Sequence, residues 1–314
     1  MITAVELGLI YAIMALGVYL TFRVLEFPDL TVDGSFATGA AVSAILILNG
    51  TNPVLAVASS FVAGCLAGMV TGLLNTKGNI DGLLAGILTQ IALYSINLRI
   101  MGTSNLGLLR ATTLFTPLRE GGQLGTWLGP LIILPFVLVV LAALIWFLHT
   151  NVGLGLRASG DSPEMVRSFG VSTDRQKILG LALSNGMVAV SGSLVAQYQG
   201  FADVGMGIGI IVAGLASVII GQAIVGRVTI FRAATAVVIG AVIYRVVIQL
   251  ALILGFNPND MKLISAVIVV LALLIPQWRI GARIHRLFGL KRRSEDERMT
   301  DRLVMENAAL KGED

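Results

Sequence analysis

The chain has 314 residues, of which 56% are hydrophobic and only 13% charged, with a formal net charge of +4. Soluble globular domains carry about a quarter charged residues, so a soluble enzyme or binding module is excluded. Apolar runs that are continuous, rather than alternating over about ten residues, exclude an outer-membrane barrel.

The runs almost free of charge read as transmembrane helices, and nine are predicted, giving an all-α polytopic membrane protein. The first, about 3–22, follows an N-terminus (MITAVELGLI) without the basic region of a signal peptide and is expected to be retained. The second, 35–49, is short, which predicts that residues 24–34 (VLEFPDLTVDG) dip into the membrane as irregular, re-entrant backbone. Such backbone is tolerated only where it is buried in protein or lines a cavity. Spans at 53–75, 82–101, 126–149, 176–199, 205–225, 231–254 and 261–278 follow, making a transmembrane domain of 1–280 and a polar tail over 281–314. The 36 glycines suit close helix packing in lipid, where small residues let backbones approach.

Charge sets the expected orientation. With the loop at 153–175 in the cytoplasm, 17 of the 22 Lys and Arg residues fall on the cytoplasmic side. The positive-inside rule then predicts an outward N-terminus and a cytoplasmic C-terminus. The basic cluster at 291–293 is read as a device for lipid headgroups, not for nucleic acid.

Within the 153–175 loop, SPEMVRSFG (162–170) has the marks of a short helix. Ser162 is a capping residue, Pro163 suits the first helical position and Glu164 suits the positive end. Met165, Val166 and Phe169 form an apolar stripe, and Gly170 stops the helix. Such a helix lies on the membrane surface or enters a groove on a partner.

Ionisable and polar residues at membrane depth are costly and so become candidates for function. Arg245 lies roughly 20 Å into its helix at 1.5 Å per residue, with Tyr244 beside it and Gln249 on its face. It either offers a guanidinium to a solute carboxylate or pairs with a buried acid such as Asp203. Gln197, Gln199 and Asp203 line an outer vestibule or mark the membrane boundary, and Asn97 is a pore residue or a bond between helices. GQAIVGRVT (221–229) has the outline of a phosphate loop, but Arg227 and Val228 replace the required Lys and hydroxyl, so no ATP site is expected in this chain. His149 and His285, with no cysteine or carboxylate clustered beside them, and the lone Cys65 suggest neither a metal site nor an enzyme.

LRASGDSPEMVRSFGVSTDRQKILGLALSNGMVAVSGSL (156–194) resembles the cytoplasmic loop and following helix of ABC-importer permeases of the branched-chain amino acid and ribose superfamily. Arg157, Ala158, Gly160, Asp161, Val166, Gly170 and Val171 occupy the places of that pattern. FPDLTVDGSFATGA (27–40) is similar to the region after the first helix, and 196–224 looks like the tryptophan/tyrosine-type subgroup. Gln222 departs from the acid expected at its place. The resemblance implies a coupling helix over 162–170, with Asp161, Ser162, Pro163, Glu164, Met165, Val166, Arg167, Phe169 and Gly170 meeting an ATPase. It further implies two ATPase subunits that bind ATP and magnesium, a second permease chain in a homodimer or pseudodimer, and a solute-binding protein outside. The cargo it implies is a small polar solute, an amino acid first, with nucleoside, sugar or sulfonate as alternatives. A stand-alone secondary transporter would need an acidic site at mid-membrane, which the predicted spans do not offer.

Overall fold

A computed structural model describes residues 1–226, 228–256, 260 and 263–270, all but the last within a compact unit of Met1–Val269. The expected tail over 281–314, and most of the ninth predicted span, lie outside the described residues.

The chain is a bundle of helices. α1 (Ile2–Tyr19) runs on through a wider turn at Leu20–Val24, in which Leu25 N–H reaches back to the Leu20 carbonyl at 3.0 Å. Next come α2 (Thr31–Leu48), α3 (Pro53–Thr76) and α4 (Gly82–Met101). The loop over 102–127 holds a strand, β1 (Asn105–Gly107), and a short α5 (Thr116–Glu120) before α6 (Leu128–His149). The charged loop forms α7 (Asn151–Asp161) and α8 (Pro163–Ser168), then α9 (Thr173–Gln199) crosses the bundle. β2 (Phe201–Asp203) pairs antiparallel with β1 in the register Asn105↔Asp203, and α10 (Ile210–Val225) and α11 (Ile230–Ile253) close the described bundle. Residues 263–270 are helical.

Seven helices among the described residues are long and apolar enough to cross a membrane. α10, at 16 residues, is shorter than a full span. The predicted 205–225 segment thus begins as irregular chain: residues 204–209, with three glycines, precede the helix. The second predicted span changes too. α2 starts at Thr31 and takes in Asp33 and Gly34, so the irregular stretch beside it narrows to 25–30. That stretch packs against the first turns of α4, where a Cβ on Gly86 would lie 2.9 Å from Leu30 N. A second irregular stretch, 204–209, packs on the first turn of α2. A Cβ on Gly207 would lie 1.9 Å from the Asp33 carbonyl oxygen, and Gly34 in turn packs on Gln90 and Leu93 near the middle of α4.

α9 is the central post, buried from Gly180 to Gln197 save for half-buried Leu183. Its neighbours approach to backbone contact. A Cβ on Gly39 of α2 would fall 1.9 Å from the Ala189 carbonyl oxygen, and one on Gly192 of α9 would fall 2.0 Å from that of Phe36. Only glycine permits such spacing, and dispersion between the close-packed backbones is the gain. Serines of α9 add bonds across helices: Ser184 Oγ donates to the Gly17 carbonyl at 2.7 Å and Ser191 Oγ to that of Ile10 at 2.9 Å. By contrast α6 buries one stripe, Ile133, Val137, Leu141, Leu144 and Leu148, and turns its other apolar faces outward. That single-sided burial is how a helix at the lipid boundary packs on a bundle.

Candidate functional site

The charged loop is the most defined surface feature. Thr150 caps α7, its hydroxyl oxygen accepting from Gly153 N–H at 3.2 Å. α7 presses against the end of α1, since a Cβ on Gly160 would lie 2.2 Å from the Val24 carbonyl oxygen. α8 then has Pro163 in its first turn and Glu164 at its positive end, as expected; Ser162 holds the cap position, but its side chain makes no capping bond. The expected apolar stripe divides. Val166 is buried, whereas Met165 is 54% and Phe169 77% exposed. Gly170 ends the helix with φ +79°, a conformation that favours glycine. Arg167 ties the hairpin to α9: its Nε donates to Thr173 Oγ1 at 2.8 Å, and its guanidinium pairs with Asp174 at 3.4 Å. The result is a loop fixed on one side by Val166 and Arg167. On the other side it offers Glu164, Met165 and Phe169, an apolar knob with a charge beside it, suited to a partner's groove.

Inside the bundle the structure reveals acids that the residue pattern did not single out. Asp29, fully buried in the 25–30 connector, accepts from Thr31 N–H at 2.9 Å and from Asn185 Nδ2 at 2.6 Å. Asn185 Oδ1 accepts from Ser35 Oγ at 2.6 Å, and Thr31 and Thr71 hydroxyls meet at 2.7 Å. Burial pushes the Asp29 carboxyl up from the usual carboxylate range, and the bonds from Thr31 and Asn185 oppose that shift. Asp33, one turn on, accepts from Gly209 N–H at 2.8 Å and Ile211 N–H at 2.9 Å, so it caps α10 from another helix. A carboxylate at a helix N-terminus is favoured by the unpaired N–H groups and the dipole there. Glu6 is buried near the other end of α1, accepting from Tyr198 Oη at 2.5 Å and Gly125 N–H at 2.9 Å. Glu6 and Asp33 thus lie near the starts of α1 and α2 and Asp29 in the connector between them, each tied to hydrogen-bond donors near a helix end.

The expected pore residues do not form one cluster. The Arg245 guanidinium carbon sits 3.8 Å from the centroid of the Tyr11 ring, and Tyr11 stacks on Phe36 at 5.8 Å. The alternative pair with Asp203 is not made. Asp203, the last residue of β2, accepts from Gly205 N–H at 2.7 Å and faces its ladder partner through Asn105 Nδ2 at 3.5 Å. Among the described residues no carboxylate lies within ion-pair distance of Arg245, so a cation–π contact holds the charge. Tyr244 is buried and donates to Ser265 Oγ at 2.8 Å, and Gln249 is half-buried on the same helix. Gln197 is buried and bonded at both ends of its amide: its Oε1 accepts from Leu114 N–H at 3.1 Å and its Nε2 donates to Ser43 Oγ at 3.1 Å. Gln199 is exposed at the last turn of α9. Asn97 is fully buried, and neither amide atom is hydrogen-bonded among the described residues, so the interhelical bond is not made there.

Comparison with known proteins agrees with this architecture. Residues 1–274 match the family described as branched-chain amino acid transport system / permease component. The tyrosine transport system permease protein of Clostridioides difficile is 43% identical over 270 residues, covering 86% of this chain and 88% of that one. The ribose import permease protein RbsC of Escherichia coli K12 is 26% identical, covering 84% and 81%. Among solved structures, a metal-chelate type ABC transporter in an inward-facing conformation shares the fold, with a TM-score of 0.53 at 14% identity over 89% of this chain and 85% of that one. A match to the family across nearly all of the bundle, with seven helices fit to cross a membrane, makes the chain a multi-pass ABC-importer permease of the branched-chain amino acid transport system permease family.

Proposed function

We propose that the chain is the permease subunit of an ATP-driven amino-acid importer whose cargo is tyrosine or a related aromatic amino acid. The observation that carries this reading is the 43% identity, over most of both chains, to a tyrosine transport system permease. Two partner ATPase subunits bind ATP and magnesium and grip α8 through Phe169, Met165 and Glu164. A second copy of the chain completes the pore, and a solute-binding protein delivers cargo from outside. The protein sits in the bacterial inner membrane, N-terminus out and C-terminus in, following its Lys and Arg distribution. ATP binding draws the ATPases together and moves α8; the motion passes into α9 and switches the pore between outward- and inward-open. Arg245, with Tyr244 and Gln249 on its helix, offers its guanidinium to the cargo carboxylate.

The test is reconstitution. The chain, co-expressed with its ATPase and reconstituted with the binding protein, is expected to take up labelled tyrosine only with ATP, and the liganded binding protein is expected to raise ATPase activity. Uptake that proceeds without any ATPase subunit would overturn the reading. A preference for ribose or a nucleoside would overturn the cargo alone.

A further inference from the structure

Where α7 meets the end of α1, a cavity of about 250 Å³ opens among four elements. Arg23 lines it from the wide turn after α1, Arg157 and Asp161 from α7, Gln222 from the last turn of α10, and Tyr19 and Thr229 complete the polar wall. The wall has more donors than acceptors. Two guanidinium groups face one carboxylate, and neither arginine lies within 4.0 Å of an acid among the described residues. Gln222 Nε2 is buried and has no hydrogen-bond partner among the described residues. A buried donor left unpaired is costly, and its neighbours are cationic, so the missing partner is an anion with several acceptor oxygens.

The rim narrows the choice. Val228 lines the cavity and is 83% exposed, and Ile224 and Phe231, which flank it in the chain, are each 62% exposed. An apolar apron next to a basic pocket fits an amphiphile better than a free solute, and basic pockets between transmembrane helices on the cytoplasmic side suit lipid headgroups. We propose that this cavity holds the phosphate of an anionic phospholipid, with Arg23, Arg157 and Gln222 donating to its oxygens and the acyl chains lying along Ile224, Val228 and Phe231. The planar guanidinium forks match phosphate oxygens in pairs, which an ammonium would not. The bound lipid joins α1, α7, α10 and α11 at the root of the charged hairpin. This site is separate from cargo and stands whether or not the cargo is tyrosine.

The test uses the full chain, purified in detergent, stripped of lipid and titrated by native mass spectrometry with phosphatidylglycerol, phosphatidylcholine or inorganic phosphate. One phosphatidylglycerol per chain is expected to bind in preference to phosphatidylcholine. The double change Arg23→Gln with Arg157→Gln is expected to weaken it by about tenfold or more, the loss of two charge-assisted contacts. The double Arg→Lys change keeps charge but loses the forks and is expected to fall between. Phe231→Ser is expected to weaken phosphatidylglycerol, whose chains it contacts, at an unchanged lipid-free melting temperature. If the Gln variant fails to fold, the Lys and Phe231→Ser variants decide. Equal binding of phosphatidylglycerol by wild type and variants, or equal binding of phosphatidylcholine, overturns the proposal. Displacement of phosphatidylglycerol by millimolar inorganic phosphate overturns the lipid assignment in favour of a free-anion site.

Discussion

Asp29 and Asn185, 156 positions apart, are joined by a 2.6 Å hydrogen bond in a fully buried setting. Asn185 is also the acceptor for Ser35, so one amide links α9 to both the connector and α2. Asn185→Leu leaves a buried carboxylate short of a donor and is expected to cost about 2 kcal/mol, within the range for bonds to charged groups. Ser35→Ala is expected to cost about 1 kcal/mol, since it removes one neutral bond. Thermal unfolding of the two variants in detergent checks the order; equal losses would show that Asn185 does not bear the Asp29 charge.

The same carboxyl sets a pH dependence. Its folded pKa is raised by burial, so the folded state holds the proton more tightly than the unfolded chain. Stability from this group is therefore present below the ordinary carboxylate range and falls as pH rises towards the folded value. Asp29→Asn is expected to flatten that fall, read from melting temperatures across acidic to neutral pH. A steeper fall in the variant would contradict the direction of the shift.

Asp33 caps α10 across the bundle, at Gly209 and Ile211. Asp33→Leu removes both acceptors and is expected to abolish transport and lower the melting temperature. Asp33→Asn retains one acceptor and is expected to keep the fold while slowing transport several-fold, a loss of about 1 kcal/mol or more at the cap. Identical behaviour of the two variants would show that the side chain does not hold this helix end.

On α8, exposed and buried neighbours make opposite predictions. Phe169→Asp and Glu164→Arg are expected to abolish ATPase co-purification while leaving insertion and melting temperature unchanged. Val166→Asp, at a buried position, is expected to destabilise the hairpin itself. Normal ATP-driven uptake by Phe169→Asp would refute α8 as the docking element.

Arg245→Ala is expected to depress tyrosine uptake by an order of magnitude or more with expression largely kept, the cost of losing a charged contact to cargo. Tyr11→Leu, which removes the ring beneath the guanidinium, is expected to have a smaller effect, near the 0.5–2 kcal/mol range of about one cation–π contact. Equal modest losses for both variants would make Arg245 a packing residue.

What the residue pattern revealed was local. Charge-free runs located the long helices, and Pro163, Glu164 and Gly170 located α8, because each signal lies within a few residues of what it determines. The acids Glu6, Asp29 and Asp33 went unread because their partners, Tyr198, Asn185 and the α10 N-terminus, lie between 156 and 192 positions away. Only helix packing brings them together. Arg245 was legible as an anomaly, yet its neighbour proved to be the ring of Tyr11, and an aromatic carries no sign that it will receive a charge. The ladder between Asn105–Gly107 and Phe201–Asp203 was equally hidden, three residues a side being too short for any alternation to show.

The glycine contacts between α2 and α9 bear on how force travels. Gly39 and Gly192 bring the two backbones so close that a methyl group on either would collide with the facing helix. α8 leads through 169–172 directly into α9. If α8 is the docking element proposed above, a pull on the hairpin is expected to move α2 and α9 as one keel, with the give left to lighter timber: the short α10 and the irregular chain at 204–209, tied to Asp33.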